Sequence, residues 1–255
     1  MKRQDFIAYE GPSLIDGAPI AVIVTGVVRP SQNIKTGPML QVWILRQDVH
    51  PREAVKTGQD ESICGQCPLR GLGDGTLRSC YVRVDTGPSA VWRKYTAGGY
   101  PSPDPQQWAD WLKGRDVRLG AYGEPTAAPA SVMYGLIEQA RTWTGYSHRW
   151  AELSQTGKGE VWSNILMASV ESDMQAQHAQ RLGWRPFLAL SEGQEVPEHA
   201  FLCPAEREDN PLLCMTCGAC AGTKFGTRKA AAAYPWVRMH GRGRLNYLRL
   251  QEVTG

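Results

Sequence analysis

Seven cysteines are the residues of this 255-residue chain whose spacing points most directly to chemistry. Four of them, Cys203, Cys214, Cys217 and Cys220, lie in one stretch that runs on to His240. The run Cys214-x-x-Cys217-x-x-Cys220 puts a thiol at every third position, which brings the sulfurs close together on a turn. A tetrahedral zinc site or an iron–sulfur cluster needs that arrangement, with Cys203 or His240 supplying the fourth ligand. The other three, Cys64, Cys67 and Cys80, form a second group: Cys-x-x-Cys, a glycine-rich loop, then the third thiol. Loop closure over that length is entropically cheap, because its cost rises slowly with chain length. Three local thiols make either a cluster with one open iron or a structural zinc completed by a distant residue, such as Cys203 or a histidine.

Composition narrows the setting. Apolar residues at 42% and charged residues at 21% describe an ordinary soluble chain, long enough for one large domain or a domain with an appendage. A net charge of +3 permits contact with nucleic acid without arguing for it. No run has signal-peptide or membrane-spanning length, so a cytoplasmic protein with no membrane partner is expected. In a reducing compartment Cys-x-x-Cys pairs serve as metal ligands or redox thiols more often than as disulfides, and an odd cysteine count argues the same way.

The elements that must position these residues follow an alternating pattern. Residues 1–38 read as a small β appendage, with an Asp16-Gly17 turn signal and a β-branched run from Ala21 to Val28. From Met39–Arg46 onward, strand candidates alternate with helical segments. The clearest are Val117–Gly120, the helix Ala130–Arg141, the strands Thr142–Tyr146 and Ile165–Glu171, the Ser172-capped helix Met174–Leu182 ended by Gly183, and the strands Arg185–Leu190, Ala200–Cys203 and Trp236–His240. Lys229–Ala233 reads as a further helical piece. The fold expected is α/β, with residues 39–255 forming a full or partial (β/α) barrel; an open doubly wound sheet is the rival. In either fold, function belongs on the loops after the strand C-termini. The Cys64 loop, Gly123-Glu124-Pro125, His148, Glu171, Cys203 and His240 all fall at such positions. His148 reads first as a satisfied structural histidine.

Three cysteines after the first barrel strand, Cys80-Tyr81 and Gly123-Glu124-Pro125 at a strand end together resemble radical S-adenosylmethionine enzymes, with a longer gap before the third cysteine than that family carries. The resemblance implies a [4Fe–4S] cluster on Cys64, Cys67 and Cys80 with S-adenosylmethionine on its open iron. It implies that Gly123, Glu124 and Pro125 line the cosubstrate, that Ser169 and Glu171 meet its polar groups, and that Cys203, Cys214, Cys217 and Cys220 hold an auxiliary metal. The order Cys-Tyr, Gly145-Tyr146-Ser147, Cys203-Pro204 and Cys217-Gly218-x-Cys220 is similar to a family of uncharacterised cysteine-rich bacteriophage proteins. That likeness implies a bacterial host cytoplasm and makes a nucleotide or nucleic acid a natural substrate, without naming a reaction.

Two other readings stay open. A zinc on Cys214, Cys217, Cys220 and His240 resembles the late zinc site of tRNA-guanine transglycosylases, although Leu190-Ser191-Glu192 holds no aspartate where that family places its nucleophile. A non-enzymatic, zinc-stabilised nucleic-acid-binding protein would use Arg238, His240, Arg242, Arg244 and Arg249 as a basic ribbon. The sequence leaves oligomeric state open.

Overall fold

Ile20, Ala21, Val22, Ile23 and Val24 are all fully buried, so this β-branched run is covered on both faces and shows no polar alternation. It forms β2 (Pro19–Thr25), pairing antiparallel with β1 (Phe6–Pro12) and with β3 (Leu40–Arg46). β4 (Asp116–Tyr122) and β5 (Thr142–Thr144) then continue parallel to β3, giving a mixed sheet ordered β1-β2-β3-β4-β5. Residues 1–38 therefore supply two strands of the sheet that β3 belongs to. The second sheet is wholly parallel, ordered β6-β7-β8-β10-β9. Its strands are β6 (Tyr146–Ser147), β7 (Met167–Val170), β8 (Pro186–Leu190), β9 (Ala200–Leu202) and β10 (Tyr234–Arg238). The computed structural model describes residues 2–209, 211–223, 233–239 and 242–254. His240 and all but the last residue of the helix expected over Lys229–Ala233 lie outside them.

The barrel expectation is corrected by this topology: two open sheets replace a closed or partly closed wall. β1 and β9 each pair with one neighbour, so both ends of the strand order remain edges among the described residues. The single residue Gly145 separates β5 from β6. Its N–H donates to the Cys220 carbonyl and its own carbonyl accepts from Met167. A Cβ there would come within 2.5 Å of Leu166 Cδ2 and 3.1 Å of Leu119 Cβ, so the seam between the sheets needs a residue without a side chain.

Helices cover the sheets between strands. In helix Asp173–Arg181, Ser172 Oγ accepts from the Gln175 N–H, and Gly183 follows at φ 81°. In helix Pro105–Leu112, Trp108 and Trp111 both pack against Phe6. Of the expected basic ribbon, Arg242, Arg244 and Arg249 lie in helix Arg242–Thr254, Arg238 ends β10, and His240 is outside the described residues. No helix among the described residues is long and apolar enough to cross a membrane.

Candidate functional site

The first cysteine group is carried by a loop built around Arg70. Its guanidinium reaches Asp60 Oδ1 from Nε (3.0 Å) and Nη2 (2.7 Å), the Gly65 carbonyl from Nη1 (3.0 Å) and the Gly58 carbonyl from Nη2 (2.9 Å). One buried side chain thus ties together the turn before Cys64 and the turn before Cys67. The Leu69 carbonyl accepts from the N–H groups of both Ser79 and Cys80, closing the glycine-rich excursion. Gly71, at φ 74°, allows this closure, since a Cβ there would sit 2.2 Å from the Thr76 carbonyl oxygen. The Glu124 N–H donates to the Ile63 carbonyl at 2.6 Å, fastening the loop to the end of β4.

The thiols do not form the ligand set that the sequence suggests. Cys64 ends a short helix and packs against the main core. Cys67 and Cys80 pack against a separate small cluster of Leu69, Ala189, Met239 and Tyr247. Among the described residues, no group of three or more His, Cys, Asp and Glu side chains is arranged to hold a metal ion. This overturns the [4Fe–4S] cluster on Cys64, Cys67 and Cys80, and S-adenosylmethionine loses the open iron that would anchor it. Burial, with Asp60 close by, pushes the Cys64 thiol well above its ordinary range and favours the neutral form.

The iron–sulfur or zinc expectation for Cys203, Cys214, Cys217 and Cys220 is overturned by the same finding, and His240 is outside the described residues. These four cysteines lie close enough for their charges to interact, while their backbone groups are tied to different parts of the chain. Cys203 N–H donates to Trp236 in β10, Cys214 N–H to Lys35, and the Cys220 carbonyl accepts from Gly145. The Cys220 thiol lies beside the Tyr146 hydroxyl. Arg185 Nη1 donates to the Ala219 and Gly222 carbonyls at 2.8 and 2.9 Å. Burial pushes Cys214 up to about 11 and Cys220 up to about 12, so both are neutral thiols near pH 7.

What the fold does bring together is a polar cluster at the C-terminal ends of the parallel strands, where open α/β sheets place their sites. Glu124 follows β4, His148 follows β6, Glu171 follows β7, and Ser191 with Gln194 follow β8. His148 Nε2 lies 2.8 Å from Glu171 Oε1. The His148 backbone N–H donates to Glu124 Oε2 at 3.1 Å, and the Thr126 hydroxyl donates to Glu124 Oε1 at 3.1 Å. Cys67, brought in by the Arg70-centred loop, lies beside the His148 ring, close enough to act on its charge. Gln175 Oε1 accepts from the Glu171 N–H, Gln194 Nε2 donates to the Glu171 carbonyl, and Arg238 Nη1 donates to the Ser191 and Gln194 carbonyls.

Electrostatics in this cluster are set by burial and pairing together. For His148, burial works against the imidazolium, but the Cys67 sulfur and the Glu171 carboxylate outweigh it and hold the ring well above its ordinary range. Glu124 is raised by burial, only partly offset by His148, the Ser147 hydroxyl and Arg149.

Of the residues read from sequence as cosubstrate contacts, Glu124 and Glu171 enter this cluster. Gly123 adopts φ 84° and would place a Cβ 2.8 Å from the Ile44 carbonyl oxygen, so its role is close backbone approach. Pro125 starts a short 3-10 turn, and the Ser169 carbonyl accepts from Trp150 Nε1. The sequence reading missed Asp60, Arg70, Arg78, Tyr122 and Gln194. Their only local signal is proximity to the cysteine loop for the first three and to Gly-Glu-Pro for Tyr122, while Gln194 carries none.

Comparisons of the chain with protein families, with curated proteins and with solved structures each return no match.

Proposed function

We propose that the protein is a thiol-dependent enzyme in which Cys67 is the nucleophile, His148 the ring that holds the thiol proton and delivers it to the leaving group, and Glu171 the group that orients His148. The observation that carries this reading is His148 Nε2 on Glu171 at 2.8 Å, with the Cys67 sulfur beside the same ring. A nucleophile, a base within hydrogen-bond reach and a third group holding the base are the requirements for covalent catalysis, whatever the scaffold. The three come from a loop and two adjacent parallel strand ends, the edge where such sheets present reactive groups.

The reaction class that fits is acyl transfer. Cys67 Sγ forms a bond to a carbonyl carbon, the bond from that carbon to the leaving group breaks, and the thiol proton passes through His148 to the leaving group. Water or a second nucleophile then takes the acyl group from sulfur. Glu171 keeps the imidazole in one orientation through both steps, and the Gln175 and Gln194 contacts hold the Glu171 backbone in place.

The test is single-turnover acetylation by p-nitrophenyl acetate, with the modified peptide located by mass spectrometry. A burst of p-nitrophenolate with one acetyl group on Cys67, abolished in Cys67→Ala and slowed in His148→Ala, supports the reading. An acetyl group spread over the other cysteines, or a burst that survives Cys67→Ala, overturns it.

A further inference from the structure

Three buried side-chain atoms have no hydrogen-bond partner among the described residues: Arg78 Nε, Ser79 Oγ and the Tyr122 hydroxyl. They are not scattered. Arg78 and Ser79 directly precede Cys80, and Tyr122, the last residue of β4, lies close enough to Arg78, Cys64 and Cys80 for their charges to interact. Tyr122 and Ser79 are only 2% and 4% exposed. Buried polar groups are almost always paired, so three unpaired ones in one place call for a partner: a water, an ion or a polar ligand group.

The surroundings favour an anion. Arg78 spends Nη1 on the Cys80 and Val82 carbonyls, and its own carbonyl accepts from Asn246 of the C-terminal helix. The guanidinium is thereby held in place with Nε left over. The nearest carboxylate, Asp60, is already paired with Arg70 at 2.7 Å. The other titratable groups beside Arg78 are the Cys80 and Cys64 thiols and the Tyr122 hydroxyl, and burial favours the neutral forms of Cys64 and Tyr122. Among the described residues Arg78 thus has no carboxylate paired to it at this spot, and Tyr122 adds a hydroxyl donor beside it. A planar guanidinium with a neighbouring O–H suits a carboxylate or phosphate group.

We infer that Arg78 and Tyr122 form a subsite for a small oxyanion and, because Cys80 next to them packs on the same small cluster as Cys67, that the substrate of the Cys67 site carries a carboxylate or phosphate group. The inference rests on the thiol-dependent reading for its link to catalysis, while the oxyanion subsite stands on the unpaired donors alone.

Alkylation of the full chain by iodoacetate and by iodoacetamide, read at Cys67 by mass spectrometry, tests it, because the two reagents differ in charge and little else. The iodoacetate-to-iodoacetamide rate ratio at Cys67 is expected to exceed that of glutathione by about tenfold. Inorganic phosphate and acetate, each added as a competitor, are expected to suppress only the iodoacetate rate, and the stronger competitor names the preferred oxyanion. Arg78→Met removes the preference. Tyr122→Phe reduces it and leaves every hydrogen bond of the loop backbone in place, which covers the case in which the Arg78 variant fails to fold. A fast iodoacetamide reaction with no iodoacetate preference overturns the subsite and leaves the nucleophile standing. If Cys67 is inert to both reagents, the nucleophile fails. The subsite is then decided by thermal stabilisation in phosphate: a shift in the parent protein that Tyr122→Phe loses supports it, and no shift overturns it.

Discussion

His148 Nε2 and Glu171 Oε1 lie 2.8 Å apart, and the two residues come from the ends of adjacent parallel strands, β6 and β7, 23 positions apart in the chain. Neighbouring parallel strands end side by side, so a residue just past one meets a residue just past the next. The pair is then locked from the Glu171 side by Gln175 and Gln194 and from the His148 side by Glu124.

Glu171→Gln keeps the size of the side chain and the backbone contacts while removing the carboxylate that holds the ring. The rate of Cys67 acetylation by p-nitrophenyl acetate is expected to fall on the order of 10²-fold near neutral pH. Unchanged far-ultraviolet circular dichroism would show that the fold survives. A rate within a factor of about two of the parent would remove Glu171 from the proposed relay.

Arg70 holds the cysteine loop through a buried ion pair, with side-chain exposures of 9% for Arg70 and 2% for Asp60. Removing one partner leaves the other charge buried and unpaired. Arg70→Ala is therefore expected to lower urea stability by about 3–5 kcal/mol. The double variant Arg70→Ala with Asp60→Asn should recover part of that loss, because no uncompensated carboxylate then remains.

Glu124 sets a pH dependence of stability. Burial raises its folded-state pKa above the ordinary 4.5, so the fold favours the protonated form. Stability from this group is full below the unfolded-state pKa and is lost as pH rises through the higher folded-state value. The charged groups facing Glu124, His148 and Arg149, moderate this effect without reversing it. Glu124→Gln is expected to gain stability relative to the parent as pH rises from acid toward neutral. Thermal midpoints of the two proteins across that range check it. A parent that gains stability relative to Glu124→Gln on going to neutral pH would contradict the assigned direction.

Arg185 is buried just before β8 and staples the segment around Cys220 to that strand through the Ala219 and Gly222 carbonyls. Arg185→Met leaves two buried acceptors without this donor, at roughly 1–3 kcal/mol each. Faster amide hydrogen exchange is expected over residues 214–223, with β2 and β3 keeping their protection. Loss of protection across both sheets at once would instead mean that the seam and the main core unfold together.

Local chemistry accounts for much of the secondary structure. Met39–Arg46 is strand-forming and apolar, and becomes β3. Ser172 and Gly183 mark the two ends of one helix, and Arg185–Leu190 becomes β8. These features depend on side-chain periodicity, capping and turn propensity, which nearby residues decide. The C-terminal helix Arg242–Thr254 was not legible, because its charged residues do not leave a clean apolar stripe at helical spacing. The barrel reading failed because strand count and alternation do not determine closure, whereas strand pairing does, and it gives two open sheets that follow one another at Gly145.

The candidate site divides in the same way. Sequence alone identified the cysteines, Glu124 and Glu171 as residues at strand ends and loops, because residue type and position along the chain suffice for that. It could not decide which of them meet. Cys64 and Cys67 are three residues apart, yet they pack into different clusters, while Cys67 reaches His148, 81 positions away. A Cys-x-x-Cys spacing limits how far apart two sulfurs can be without making them converge. Their directions are set by the Gly65 turn, the Arg70–Asp60 pair and the packing of Met239 and Tyr247 against Cys67, all of which are contacts made in three dimensions.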